Sequence, residues 1–329
     1  MNKYSGTIEY KEPNSIRLDV YLSSLFSHIS RTIIQKNIKD ANVKVNGQII
    51  KSNHKLSRGD VIKWKLHDYD VTIADIPAEH VQLDILYQDG NVLVINKPSG
   101  MATHPTPNLK EHTLVNALLG MDNNISDAIY DTENASSRIR PGIVHRLDKY
   151  TTGVIIVAKN PKSLRSLSLQ IKHRNVIKKY YSLNLGWPSK NSGHLENYLG
   201  RNTKKRQIFT EVGEEAGKKA ISDYHVVSYF KTQSGEEVSL LQFTILTGRT
   251  HQIRAQSLLM GNPVLGDITY SNQQSQKVSE VLGINRQMLH SYSLSVTLID
   301  EKVSHIFSAS LPPDFTRTID KLNKITPAY

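Results

Sequence analysis

Apolar positions near the start of the chain repeat with the period of a helix. Leu18, Tyr21, Leu22 and Leu25 fall at i, i+3, i+4 and i+7, which puts them on one face of a helix running from Arg17. A second short helix is expected to begin near Ser30, a suitable N-cap, and to carry Ile34 and Ile38 on its buried side. The period then changes. VKVNGQII at 43–50 and DVIKWKL at 60–66 read as short strands, with Asn46-Gly47 as a tight turn that admits positive φ. Two helices followed by a strand pair describe one small unit, with its core at about 15–67. Segment 68–80, DYDVTIADIPAEH, lacks a helical period, carries a proline and reads as a linker. The boundary is expected at 78/79, giving domains 1–78 and 79–329.

Beyond the linker the pattern is richer in strands. LDILYQDGNVLVINKPSG predicts a hairpin turning at Asp89-Gly90. Residues 121–140 are polar and read as a long surface loop, and GVIIVAKN as a buried strand. Asn160-Pro161 starts a helix that buries Leu164, Leu167 and Ile171. KKYYSLNLGW, ISDYHVVSYF and SLLQFTILTG alternate and are rich in β-branched or aromatic residues, which favours an antiparallel sheet. A helix is expected from Thr250 to near Gly261, and LHSYSLSVTL as a further strand. Strands and helices do not alternate regularly, so the class is α+β with a mixed, largely antiparallel sheet, and not a doubly wound nucleotide fold.

Charge adds a partner to this picture. Lys and Arg number 41 against 30 Asp and Glu, a net charge of +11, which suits a polyanion such as RNA. The chain has no cysteine, which excludes disulfides, thiolate metal sites and a cysteine nucleophile and agrees with a cytoplasmic setting. Apolar runs fall far short of the about 20 residues a membrane helix needs, so no membrane association is expected. Gly213-Glu-Glu-Ala-Gly217-Lys218 is not a phosphate loop, because the second glycine comes early and no Ser or Thr follows the lysine. No dinucleotide fingerprint, metal-ligand spacing or nucleophile elbow occurs, and no cofactor or metal is expected.

One polar segment stands out at the junction between the loop and the buried strand: His145-Arg146-Leu147-Asp148-Lys149-Tyr150-Thr151-Thr152-Gly153. A lone Asp there would ordinarily close a turn on Thr151 or Thr152. The segment resembles the H-R-L-D-x-x-T-S-G motif of the RluA-type RNA pseudouridine synthases. Further blocks appear in that family's order: NKPSGMATHPT at 96–106, the K-x-Y element at Lys178 and Tyr180, LTGRTHQIRAQ with GNPVLGDITY, and RQMLHSYSL at 286–294. RLDVYLSSL, SRTIIQKNIKD and VKVNGQ are similar to the alpha-L RNA-binding motif, a combination found in enzymes that modify large-subunit ribosomal RNA. Thr152, Ser182 and Ser291 depart mildly from the family pattern, and none removes a reactive group.

The resemblance implies a pseudouridine synthase catalytic domain behind a small N-terminal α/β RNA-binding domain. It implies isomerisation of uridine in RNA, with no cofactor, in a monomer whose substrate is ribosomal RNA or a pre-ribosomal particle. Asp148 becomes the catalytic carboxylate, acting on ribose carbon 1 or the carbon 2 proton. Arg249 becomes the cation that keeps it ionised, and Tyr180 the group beside the uracil that relays a proton. His145, Arg146, Leu147, Lys178, Ile253 and Leu289 are the expected substrate contacts, with Arg146 either filling the gap left by a flipped nucleotide or clamping a phosphate. Arg17, Arg31, Lys36, Lys204, Lys205 and Arg206 are the expected backbone contacts. A non-catalytic RNA-binding or ribosome-assembly factor is the alternative.

Overall fold

A computed structural model describes residues 5–26, 29, 31–67, 76–106, 109–121, 142–202, 205 and 208–326. The chain divides into two compact units at Ile76 and Pro77. In the first, β1 (Ser5–Glu9), α1 (Leu18–Leu25) and α2 (Arg31–Lys39) precede β2 (Val43–Val45), β3 (Gln48–Ile49) and β4 (Val61–Lys65). The strands form an antiparallel sheet in the order β1-β4-β2-β3. Leu18 and Leu22 of α1 and Ile34 and Ile38 of α2 are buried with Val43, Val45 and Ile62 of the sheet, so the helical period reads the core face correctly. Leu25 is the exception, left 41% exposed where α1 ends. Asn46 and Gly47 both take positive φ, as a two-residue hairpin requires, and the Val61 N–H donates to Asn46 Oδ1 at 2.8 Å. The cap expected at Ser30 lies outside the described residues, as do most of the linker and nearly all of the 121–140 loop.

The second unit contains β5 (Ile85–Gln88), β6 (Val92–Lys97), α3 (Leu114–Gly120), β7 (Thr152–Ala158) and α4 (Pro161–Lys172). They are followed by β8 (Ile177–Leu185), β9 (Ser192–Arg201), β10 (Phe209–Glu211), β11 (Lys218–Lys231) and β12 (Glu237–Ile245). Then come α5 (Gln252–Leu259), α6 (Gln273–Leu282), β13 (Leu289–Thr297), β14 (Ser304–Ser308), α7 (Pro313–Asp320) and β15 (Asn323–Ile325). One sheet runs β10-β9-β11-β12-β8-β13-β7-β6-β5, with β14 added to β13 and β15 to β11. Every pairing in it is antiparallel except β13 with β7. This is the mixed, largely antiparallel α+β fold that the strand pattern predicts.

Two clusters of the core show how the sheet is covered. Val154 and Ile156 of β7 pack with Val92 and Val94 of β6 and with Leu167 of α4. Leu183, Val238 and Leu240 pack with Val278 and Leu282 of α6 and Phe315 of α7. Asn160 caps α4 as expected, accepting from the Ser163 N–H at 2.9 Å. The hairpin at Asp89-Gly90 forms differently from its sequence signal: Asp89 Oδ1 accepts from the N–H of Asn91 and Val92 at 2.7 Å each, and Gly90 has no positive φ. Helix α5 begins at Gln252 and not Thr250, because His251 adopts a left-handed conformation at φ 56° and ψ 24°.

Candidate active site

Asp148 lies on the loop entering β7, and sequence-distant segments fix that loop. Thr103 Oγ1 donates to the Leu147 carbonyl at 2.8 Å and accepts from the Leu147 N–H at 3.2 Å. Lys97 Nζ donates to the Lys149 carbonyl at 3.2 Å, and also to the Pro98 and Met101 carbonyls at 2.8 Å each. Arg286 Nη1 donates to the Tyr150 carbonyl at 3.2 Å, and Gln287 Nε2 to Thr151 Oγ1 at 3.2 Å. Thr152 Oγ1 lies 2.8 Å from His290 Nδ1. The loop closes on itself through the Thr151 N–H, which donates to the Asp148 backbone carbonyl at 3.0 Å, so the turn is made by main chain and the Asp148 carboxylate is left for Arg254. The NKPSGMATHPT and RQMLHSYSL blocks are therefore, in large part, the scaffold of the Asp148 loop.

The cation against Asp148 is Arg254. Its Nη1 donates to Asp148 Oδ2 at 2.9 Å, while Nε and Nη2 grip Asp267 at 2.5 and 3.0 Å. Asp267 is fully buried on its side chain and also accepts from the N–H of Thr269 and Tyr270 at 2.9 Å each. One planar guanidinium thus joins a buried anchor to a carboxylate whose side chain is 16% exposed. Burial works against the Arg254 charge, but Asp267 and Asp148 outweigh it and push its pKa up. The expectation for Arg249 is corrected. That residue precedes the left-handed His251, on the turn leaving β12, and its Nε donates to the Lys219 carbonyl at 2.8 Å.

Tyr180 and Lys178 are two residues apart on β8 and so share a face of the sheet. Tyr180 is buried and pairs in register with Phe243 of β12 and Ser291 of β13. Burial pushes its hydroxyl up to about 12; a hydrogen bond with Ser291 opposes this and the Asp148 charge adds to it. Lys178 is 7% exposed, and burial lowers its ammonium pKa. No acceptor meets its ammonium among the described residues, and its Nζ lies 3.7 Å from where a Cβ on Gly248 would stand. His145 turns inward: its Nε2 accepts from the Ile156 N–H at 3.1 Å, and Nδ1 is buried without a partner. Burial, with the Lys178 charge beside it, lowers the imidazole to about 3, so His145 is a neutral brace between the loop and β7.

The other expected site residues divide. Leu147, Ile253 and Leu289 are buried, and Arg146 is exposed next to Asp148. In the first unit, Arg17 and Arg31 are both held by the fully buried Asp19, each with a 2.9 Å contact to its Oδ2, and Gln35 adds a third donor. Burial would raise the Asp19 carboxyl, but the hydrogen bonds from Arg17, Gln35 and Arg31 hold it below its ordinary value. Those arginine side chains remain 42% and 47% exposed. Lys36 and Lys205 are exposed, while Lys204 and Arg206 lie outside the described residues. Reading the sequence alone misses the role of Arg254 and overlooks Asp267, His251, Tyr270 and Lys97. The available signal was the GNPVLGDITY block, which supplies the second carboxylate that a bidentate arginine needs.

The Asp148 loop thus enters β7, and Tyr180 lies on β8, two strands away across β13 in the same sheet. Residues 91–258 match the family model of RNA pseudouridylate synthases, and residues 16–62 match the S4 domain. The chain belongs to the RNA pseudouridine synthase family: it is an isomerase of uridine in RNA, with an RNA-binding S4 domain in its N-terminal unit. It is 35% identical to an uncharacterized RNA pseudouridine synthase of Bacillus subtilis, over 95% of this chain and 96% of the relative. It is 34% identical to the ribosomal large subunit pseudouridine synthase D of Borreliella burgdorferi, over 86% of this chain and 82% of that one. Among solved structures, human RNA pseudouridylate synthase domain containing 1 matches with a TM-score of 0.56 and 25% identity, covering 77% of this chain and 93% of the human one. Among the described residues no helix is long and apolar enough to cross a membrane.

Proposed function

We propose that this enzyme isomerises uridines of large-subunit ribosomal RNA, with Asp148 as the catalytic carboxylate acting on a nucleotide drawn out of the RNA. The observation that carries the reading is the Asp148–Arg254–Asp267 array. A partly exposed carboxylate sits on a rigid loop, and its cation is itself anchored from behind. Such preorganisation suits a step in which the ribose carbon becomes electron-poor and the base departs as an anion. Arg254 takes the part first expected of Arg249. It orients Asp148 and is not a proton donor.

Breaking the bond from ribose carbon 1 to the uracil nitrogen frees the base to turn. Rejoining through carbon 5 leaves a proton there that must depart. Tyr180, neutral and beside Asp148, accepts and donates in one relay and does not stand as a phenolate. Leu147, Ile253 and Leu289 wall the uracil, and Lys178 supplies a positive charge to its carbonyls. Arg146 occupies the space the uridine leaves, since a guanidinium stacks on bases and bonds phosphates.

The N-terminal domain, residues 1–78, selects the RNA through Arg17, Arg31 and Lys36, while Lys204, Lys205 and Arg206 track the backbone from residues 79–329. The enzyme works as a cytoplasmic monomer on ribosomal RNA or a pre-ribosomal particle, a substrate class supported by relatives named for the large ribosomal subunit. The test is Asp148→Asn, assayed by release of tritium from uracil carbon 5 in large-subunit ribosomal RNA. No release with RNA binding kept within about threefold is expected, because the amide keeps the shape and loses the charge. Turnover by the variant would overturn the assignment.

A further inference from the structure

His251 has a constrained position that the chemistry above does not use. It caps α5 in a left-handed backbone conformation, which a side chain with a Cβ rarely adopts, yet its side chain makes no capping hydrogen bond. The ring is instead held edge-on between Phe209 and Tyr270, at centroid distances of 5.9 and 5.5 Å. Its Nδ1 lies 3.0 Å from the Tyr270 hydroxyl, and its Nε2 lies 3.9 Å from Asp148 Oδ1. The side chain is 22% exposed and that of Asp148 16%, so neither group is sealed in the core.

Hydrogen-bond bookkeeping fixes the position of the ring proton. Tyr270 is 1% exposed, and its oxygen already accepts from the Phe209 N–H at 2.7 Å. A buried phenol proton needs an acceptor, and among the described residues the one placed for it is His251 Nδ1. A neutral imidazole that accepts at Nδ1 carries its hydrogen on Nε2. The ring is kept neutral by burial: Asp148 and Asp267 favour the charged form, while Arg254 and Arg146 oppose it. The Nε2–H therefore points toward Asp148 from a distance too long for a direct hydrogen bond. A single hydroxyl oxygen at about 2.8 Å from each could sit between them, accepting from Nε2–H and donating to the carboxylate.

We propose that His251 is a substrate-binding residue whose Nε2–H donates to the ribose 2′-hydroxyl of the target uridine, bridging it to Asp148. The assignment rests on the reading of Asp148 as the group acting at ribose carbons 1 and 2. The 2′-hydroxyl is the polar substituent next to the reacting carbon if Asp148 attacks carbon 1, and on it if Asp148 removes the carbon 2 proton. The contact is a ribose-specific one, because deoxyribose has nothing to place there.

The tautomer is tested first, on the full-length protein labelled with 15N-histidine, the His251 signals being assigned by their loss in His251→Asn. A pyrrole-type shift at Nε2 and a pyridine-type shift at Nδ1 are expected in the wild type, and the reverse pattern would overturn the proposal. For the contact itself, a stem-loop fragment of large-subunit ribosomal RNA that the wild type converts is synthesised with ribose or 2′-deoxyribose at the target. Asparagine tolerates the left-handed backbone but does not reach the Nε2 position, and thermal unfolding checks that the variant keeps its fold. His251→Asn should lower the rate on the ribose substrate about tenfold, and loss of the 2′-hydroxyl should then cost the variant about tenfold less than it costs the wild type. An equal 2′-hydroxyl penalty in both proteins would refute the contact while leaving Asp148 untouched. An active Asp148→Asn enzyme would remove the reading beneath it, whichever way the coupling falls.

Discussion

Arg249 and Arg254 stand close together in one segment, and the geometry of a single turn decides which of them serves Asp148. Arg254 divides its guanidinium between Asp148 and Asp267, a task for a planar fork that an ammonium cannot perform. Arg254→Lys should therefore lower kcat by about a hundredfold, and Arg249→Lys by less than about threefold, in single-turnover assays on the same RNA. His145 gives a prediction in pH. Its imidazole is lowered from 6.5 to about 3 in the folded protein, so between those values the unfolded chain binds a proton that the native one refuses. Stability is fully present above about 6.5 and is lost as the pH falls toward about 3. Urea midpoints should drop between pH 7 and pH 5 in the wild type, and less in His145→Gln, which keeps an acceptor for the Ile156 N–H. The segments carrying Asp148 and Tyr180 stand out in the sequence because each is a contiguous motif. The pairing of Arg254 with Asp148 was not legible there, because it joins residues 106 apart in the chain and the helix carrying Arg254 starts only after the left-handed His251.

Glycines let the elements around the site approach one another. Gly153 has φ of 108°, and a Cβ there would stand 2.1 Å from the Ser291 carbonyl oxygen, across the parallel pairing of β7 with β13. Gly153→Ala should destabilise the second unit by at least about 2 kcal/mol, measured by thermal unfolding, since both the conformation and the backbone clash oppose it. Gly266 has a similar constraint, with the Arg286 carbonyl 1.9 Å from a Cβ. Elements with a clean apolar period were read correctly: α1, α2, α4 and the wholly buried β7. Strand β9 was missed because its sequence, SGHLENYLGR, is polar over most of its length and buries chiefly its last residues before Arg201. Helix α6 was also missed: Asn272 and Ser275 form a capping box at its N-terminus, but the helix that follows is too polar to announce itself.

Charge governs the encounter with RNA. With 41 basic residues against 30 acidic ones, the logarithm of the affinity for RNA should fall linearly with the logarithm of salt concentration. Removing residues 1–76, and with them the S4 match, should make that slope shallower and weaken selection among RNAs. Filter binding across a salt series checks this, and an unchanged slope would take the N-terminal cations out of the contact. The position of β13 bears on how the enzyme comes into being. Residues 289–297 fill the gap between β8 and β7, strands made far earlier in translation, and Arg286 and Gln287 tie down the loop carrying Asp148. Such non-local closure is slow, and it cannot begin until those late residues have left the exit tunnel. Until they emerge, the nascent chain holds the Asp148 segment without its ties to Arg286 and Gln287.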